Sequence, residues 1–403
     1  MRVLFSAHSG SGHFHPLVPT ARALEKAGHT VAFAVPEAAV ATVRANGFTG
    51  FPAGLGFEQI MPGASSARET ELRREAMLKL DLAAREALMA RVLLDGFVDR
   101  FTRARLPALV ELAGHWKPDL IVHESFEFAG ALVGEKLGIP HASIQVGGAS
   151  LDFADLTLVA ERLDAVRADF GLKPDPELRE PYRHLHLAFM PASFFSGGMP
   201  PTTRHLRLEI FDQSGTEGLP EWVSRLSGRP VVYATFGTVN KLPQHLRAII
   251  EGLRDEPVEL ILTVGRDVDP AALGPQPAHV HVERYIPQSL LLPRCDVALM
   301  HGGYNSVMSA LDAALPTLFV PFMADQPLNA RSCERLGIGR MLLPEALTPD
   351  IIRQQVRELL ADGGYRERAR RLRDEARALP GLDRAVALLE QLGRDRALPA
   401  EAA

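Results

Sequence analysis

Cysteine is nearly missing: Cys295 and Cys333 are the only two in 403 residues. So sparse a pair, without metal-ligand spacing, excludes a disulfide-stapled secreted scaffold and suits a reducing cytoplasm. The chain also lacks a dominant charge, with 44 Lys and Arg against 49 Asp and Glu and a formal net charge of -5. With no dense basic stretch to release counterions from a phosphate backbone, nucleic acid is not an expected partner. Long hydrophobic runs are missing too. The apolar stretch around Pro316 to Ala324 is far short of the roughly 18 residues a membrane-spanning helix needs. Met1 to Phe5 turns polar at Ser6, His8 and Ser9, which reads as a first strand rather than as a signal peptide. Neither an internal repeat nor a low-complexity tract interrupts the chain.

What is present is a globular composition, 46% apolar and 23% charged, in a chain longer than one comfortable core. Short runs of Val, Ile, Leu and Phe alternate with helical patterns, the mark of βαβ units and parallel sheets. A first series predicts strands at Val3 to Ala7, Thr30 to Val35, Leu120 to His123 and Ala142 to Val146. Its helices lie near Leu17 to Ala27, Ala38 to Asn46 and Phe126 to Leu137, with Gly28, Gly47 and Gly138 as stops. Ser65 to His115 reads as a helical insertion whose charges are mostly solvated faces. From Gly171 to Pro220 the periodicity fades among prolines, so a domain boundary is expected near its end. A second series follows at Val231 to Phe236, Glu259 to Val264, Val280 to Glu283, Val297 to Met300 and Thr317 to Pro321. The expected fold class is α/β, two facing Rossmann-like domains with parallel sheets. The expected domains are residues 1–213 and 214–380, with 381–403 a last helix that returns toward the first domain.

Ligands of open parallel sheets bind beyond the carboxyl ends of the strands. The first strand runs into Ser9-Gly10-Ser11-Gly12-His13-Phe14-His15-Pro16, which places His13 at a strand-to-helix turn. Gly12 admits a ligand closely, and a helix N-terminus disfavours imidazolium, which keeps the ring available as a base. Glu124 leaves Leu120-Ile121-Val122-His123 at the same sheet edge, in reach of the Nδ1 proton of His13; its plainer role is to cap the helix expected at Phe126. In the second series His301-Gly302-Gly303-Tyr304-Asn305-Ser306 joins a strand to a helix, an arrangement that binds anions on exposed N–H groups. Phe236-Gly237-Thr238 is a similar loop. Asp325-Gln326-Pro327 alone reads as an ordinary N-cap.

With these residues in place, the chain resembles the GT-B glycosyltransferases that decorate polyketides, enediynes and macrolides. The resemblance rests on Gly12 to Pro16, Pro118 to Glu124, Tyr233 to Thr238, Tyr285-Ile286-Pro287-Gln288, His301 to Ser306 and Ala324-Asp325-Gln326. It implies an acceptor-binding first domain and a donor-binding second domain. It implies inverting transfer from a nucleoside diphosphate sugar, with His13 as base and Glu124 as its supporting acid, where many relatives have Asp. Gly237, Thr238, His301, Gly302, Gly303, Asn305 and Ser306 would hold the diphosphate, Tyr285, Ile286 and Gln288 the base, and Asp325 and Gln326 the sugar. Neither metal nor cofactor is implied beyond the nucleotide sugar and a small-molecule acceptor, in a cytoplasmic monomer or homodimer. Relatives that use UDP-sugars often place Glu where this chain has Ser309, so a dTDP-sugar is favoured.

Competing readings are a UDP-glucose transferase of flavonoid-like acceptors, a non-catalytic auxiliary relative and a nucleotide-sugar epimerase. A nicotinamide oxidoreductase is the weakest of them: the Gly10-Ser11-Gly12 start has His15 where the dinucleotide pattern needs its third glycine, although Glu37 closes the second strand.

Overall fold

The computed structural model describes residues 1–57, 76–77, 79–147, 155–212, 218–237, 243–265 and 268–396. The chain forms two compact units, Met1–Phe211 together with the segment from Ala378 onward, and Asp212–Arg377. The class is α/β, with one parallel sheet in each unit.

The first sheet has seven strands: β1 (Arg2–Ser6), β2 (Thr30–Val35), β3 (Thr49–Pro52), β4 (Leu120–Glu124), β5 (His141–Ile144), β6 (His186–Ala188) and β7 (Thr203–His205). Their order in space is β3-β2-β1-β4-β5-β6-β7. Val3, Leu4, Phe5, Ile121 and Val122 are fully buried, because helices cover both faces of a parallel sheet and leave no polar side to alternate toward. One of those helices, Val18–Lys26, buries Val18, Ala21 and Leu24. The Leu382–Asp395 helix packs on it and buries Ala385, Leu388, Leu389 and Leu392. The contact is pinned where His29 Nε2 donates to Glu390 Oε1 at 2.9 Å.

The segment expected as a helical insertion is helical from Leu82 onward, as far as Trp116, and its residues 65–75 and 78 lie outside the described residues. Its middle, Val92–Phe101, is π-helical, a winding that often marks functional positions. Two readings need correction. The Gly171 to Pro220 stretch is not merely connecting chain: it supplies β6 and β7, three-residue strands too short to show a period. The helix expected from Phe126 begins at Ala129.

The second sheet contains β8 (Val231–Thr235), β9 (Glu259–Thr263), β10 (Val280–Glu283), β11 (Val297–Met300), β12 (Thr317–Phe319) and β13 (Gly339–Met341). Their order is β10-β9-β8-β11-β12-β13. Tyr233, Ile261, Ala298 and Met300 centre a core that also takes in Ile286 and Leu291. Strands β3 and β13, missed in the sequence, sit at sheet edges and span four and three residues. Among the described residues, no helix is long and apolar enough to cross a membrane.

Candidate active site

In each sheet the strand order reverses once, between β1 and β4 in the first and between β8 and β11 in the second. Such reversals open a crevice at the carboxyl ends of the two strands, because the chain departs to opposite faces. The chemically loaded loops of this sequence leave those strands.

Register sets Ser6 opposite His123, so Glu124 closes β4 one residue further on. After β1, Gly10 adopts φ +109°, a left-handed conformation open to glycine. The chain then winds into a single helical turn, Ser11–Phe14, and a 3-10 turn, His15–Leu17, before the Val18–Lys26 helix. His13 therefore sits inside a helical turn of the strand-to-helix connection, ahead of the helix read from Leu17. Its Nδ1 lies 2.8 Å from Glu124 Oε1. An ionised carboxylate only accepts, so Nδ1 carries a proton, and in the neutral ring Nε2 is the bare nitrogen.

Glu124 is fully buried. Burial alone would raise its carboxyl, but the charge and hydrogen bond of His13, then His8 and the Phe126 N–H, outweigh it and hold the group at about 2. The Phe126 N–H donates to Oε2 at 2.6 Å. Glu124 thus orients His13 and supports the loop together. The N–H groups at the start of the Ala129–Leu137 helix go to another carboxylate, Glu127, which accepts from Ala129 and Gly130.

Several residues here escaped the sequence reading. His8 donates from Nε2 to the Phe126 carbonyl at 3.1 Å, and burial first, then Arg105, pushes its pKa down to about 3. Arg105 is buried, donates to the Ala7 carbonyl at 2.8 Å and lies 3.8 Å from Glu127. Phe57 and Phe97 stand 5.6 and 5.8 Å from the His13 ring, centroid to centroid. Phe97 and Phe101 share the π-helical segment, and nothing in the sequence says that this segment folds back onto His13.

In the second sheet Met300 pairs with Thr235, so His301 and Gly237 leave neighbouring strands. A Cβ on Gly237 would come within 2.9 Å of His301 Cε1, and one on Gly303 within 2.6 Å of Nε2. The imidazole is wedged between two glycine backbones, the physical reason for glycine on both sides. Its burial lowers its pKa to about 4, so it is neutral at pH 7. Gly302 takes φ +84° and turns the chain into the Tyr304–Asp312 helix, whose first turn holds Asn305 and Ser306. Thr238 lies outside the described residues.

The remaining expected donor-side residues fall in the same unit. Gln288 Nε2 lies 3.5 Å from the Tyr233 hydroxyl, and Tyr285 donates its hydroxyl to the Asp212 carbonyl. Ile286 points into the core, which leaves only its backbone for a ligand. Asp325 is at the N-cap of the Gln326–Arg335 helix but caps no N–H with its side chain, contrary to the plain reading of that motif. Gln326 accepts from the Phe322 and Met323 N–H groups through Oε1, which keeps its amide nitrogen for other partners. No cluster of three or more metal-ligating side chains occurs among the described residues.

The erythromycin biosynthesis protein CIII-like family matches with its N-terminal domain over residues 22–196 and its C-terminal domain over 248–392. The chain belongs to this family of GT-B natural-product glycosyltransferases. Like them, it is a glycosyltransferase of the antibiotic-biosynthesis type. It is 28% identical to tylactone mycaminosyltransferase of Streptomyces fradiae, over 99% of this chain and 95% of the relative. It is 27% identical to 10-deoxymethynolide desosaminyltransferase of Streptomyces venezuelae over 100% of both. Among solved structures, the Streptomyces glycosyltransferase SsfS6 complexed with thymidine diphosphate matches with a TM-score of 0.75 and 25% identity, covering 97% of this chain and 99% of that one.

Proposed function

We propose that this glycosyltransferase inverts the anomeric centre as it moves a sugar from a dTDP-activated donor to a hydroxyl of a small natural-product acceptor. The first unit binds the acceptor and the second the donor. The His13–Glu124 contact carries this reading, because it presents Nε2 as a proton acceptor. His13 takes the proton of the acceptor hydroxyl, the acceptor oxygen bonds to the anomeric carbon, and the diphosphate departs with the electrons of the broken C–O bond. Buried Glu124 then balances the imidazolium. The helix N–H groups after Gly303 and the neutral His301 stabilise the departing charge. The reaction needs no cofactor beyond the nucleotide sugar and takes place in the cytoplasm, in a monomer or homodimer.

Ser309 supports the choice of dTDP. It is buried, and its hydroxyl donates to the Asn305 carbonyl at 2.9 Å. It therefore offers no carboxylate to a ribose 2'-hydroxyl, a group that deoxyribose lacks. A thermal-shift titration tests the choice: dTDP is expected to stabilise the protein at lower concentration than UDP, by about 2.7 kcal/mol at ~100-fold excess over Kd. Protection by UDP at the lower concentration overturns the donor assignment.

A further inference from the structure

Asn329 lies in the Gln326–Arg335 helix, is 0% exposed, and has no part in the chemistry described so far. Its Nδ2 donates at 2.8 Å to the Gly302 carbonyl and at 2.8 Å to Asp325 Oδ2. Both partners only accept, so the orientation of the amide is determined. One side chain thus joins the turn that follows His301 to the carboxylate on the sugar side of the proposed donor site.

Two backbone features show that this junction is built tightly. A Cβ on Gly302 would come within 3.2 Å of the Gln326 carbonyl, so the turn rests against the start of the helix. Ala324, directly before Asp325, has φ +55°, a left-handed conformation that costs a non-glycine residue energy and persists only where its surroundings impose it. In a dry interior the two amide bonds gain strength from the low local dielectric.

We infer that Asn329 is a positioning residue that ties the phosphate-side turn at Gly302 to Asp325, so that a bound sugar and its diphosphate are held in one geometry. The inference rests on the reading of the second unit as the donor site.

A double-mutant cycle tests it. Calorimetry on the full chain gives Kd for dTDP and for dTDP-glucose in wild type, Asn329→Ala, Asp325→Ala and the double variant. Asn329→Ala is expected to weaken dTDP-glucose about 10- to 100-fold, and dTDP by a smaller factor. In the Asp325→Ala background the same change is expected to alter the ratio of the two Kd values by less than about threefold, because coupled residues are not additive. Asn329→Asp keeps the shape, sets carboxylate against carboxylate, and replaces the alanine variant should that one not fold. Equal, additive losses for both ligands would show a merely structural asparagine and overturn the inference alone. Wild-type protein that binds neither ligand overturns the donor-site reading, and the inference with it.

Discussion

His13 and His301 both lie beyond a strand at the point where a sheet reverses its order, yet their surroundings diverge. His13 keeps a side chain 20% exposed, hydrogen-bonds a buried carboxylate and faces phenylalanine rings. His301 is pressed between glycine backbones and, among the described residues, is driven toward neutrality by burial alone. In the proposed reaction the same imidazole serves as a proton acceptor in one setting and a neutral donor in the other. The neighbours assign the chemistry, and the residue type only permits it.

The sharpest way to break the comparison is to remove each ring in turn. His13→Ala is expected to lower turnover by ~10²–10⁴ with nucleotide affinity nearly unchanged, as for a general base. His301→Ala should do the reverse, weakening nucleotide binding about tenfold or more. Steady-state kinetics with calorimetric Kd values separate the two, and equal effects on both quantities would erase the distinction.

Acid provides the next largest contrast. His8, His141 and His186 of the first unit are buried, with pKa values held near 3, 4 and 3 chiefly by desolvation. In the unfolded chain each returns to about 6.5. Unfolding therefore takes up protons, so stability is full above about pH 6.5 and is lost as pH falls toward the folded values. Between pH 7 and 5.5 each ring removes about 1.2 kcal/mol. The first unit should melt earlier on acidification. The two tryptophans divide between the units as Trp116 and Trp222, so fluorescence of Trp222→Phe and Trp116→Phe proteins follows each separately. Simultaneous melting at pH 5.5 would refute the ordering.

The smallest change compares glycines. A methyl at Gly12 meets nothing within 4 Å, whereas one at Gly303 strikes the His301 ring. Gly303→Ala is expected to weaken nucleotide binding about 10-fold, while Gly12→Ala leaves it unchanged. Nucleotide titration of the two variants decides.

Much of this was legible in the sequence because buried parallel strands write continuous apolar runs. Thr30–Val35 and Val297–Met300 were read to the residue. Glu124 and His301 were visible as polar residues directly after such runs, and His13 in the glycine-flanked turn that follows the first. Three-residue strands such as His186–Ala188 carry no period, and the helix after Glu124 was placed too early because its N–H groups are met by Glu127. Arg105 and Phe97 stayed hidden because only tertiary packing brings a residue from the insertion to the end of β1. Asn329 was one helical turn from Asp325, but the motif there read as a cap, and a cap does not point to its own i+4 neighbour.

The Leu382–Asp395 helix lies on the Val18–Lys26 helix, which makes the first unit discontinuous in the chain. During vectorial synthesis the Val18–Lys26 helix meets this partner only after all of Asp212–Arg377 has left the ribosome. The unit begun first is finished last, and a nascent chain halted before Leu382 carries a complete second unit beside an open one.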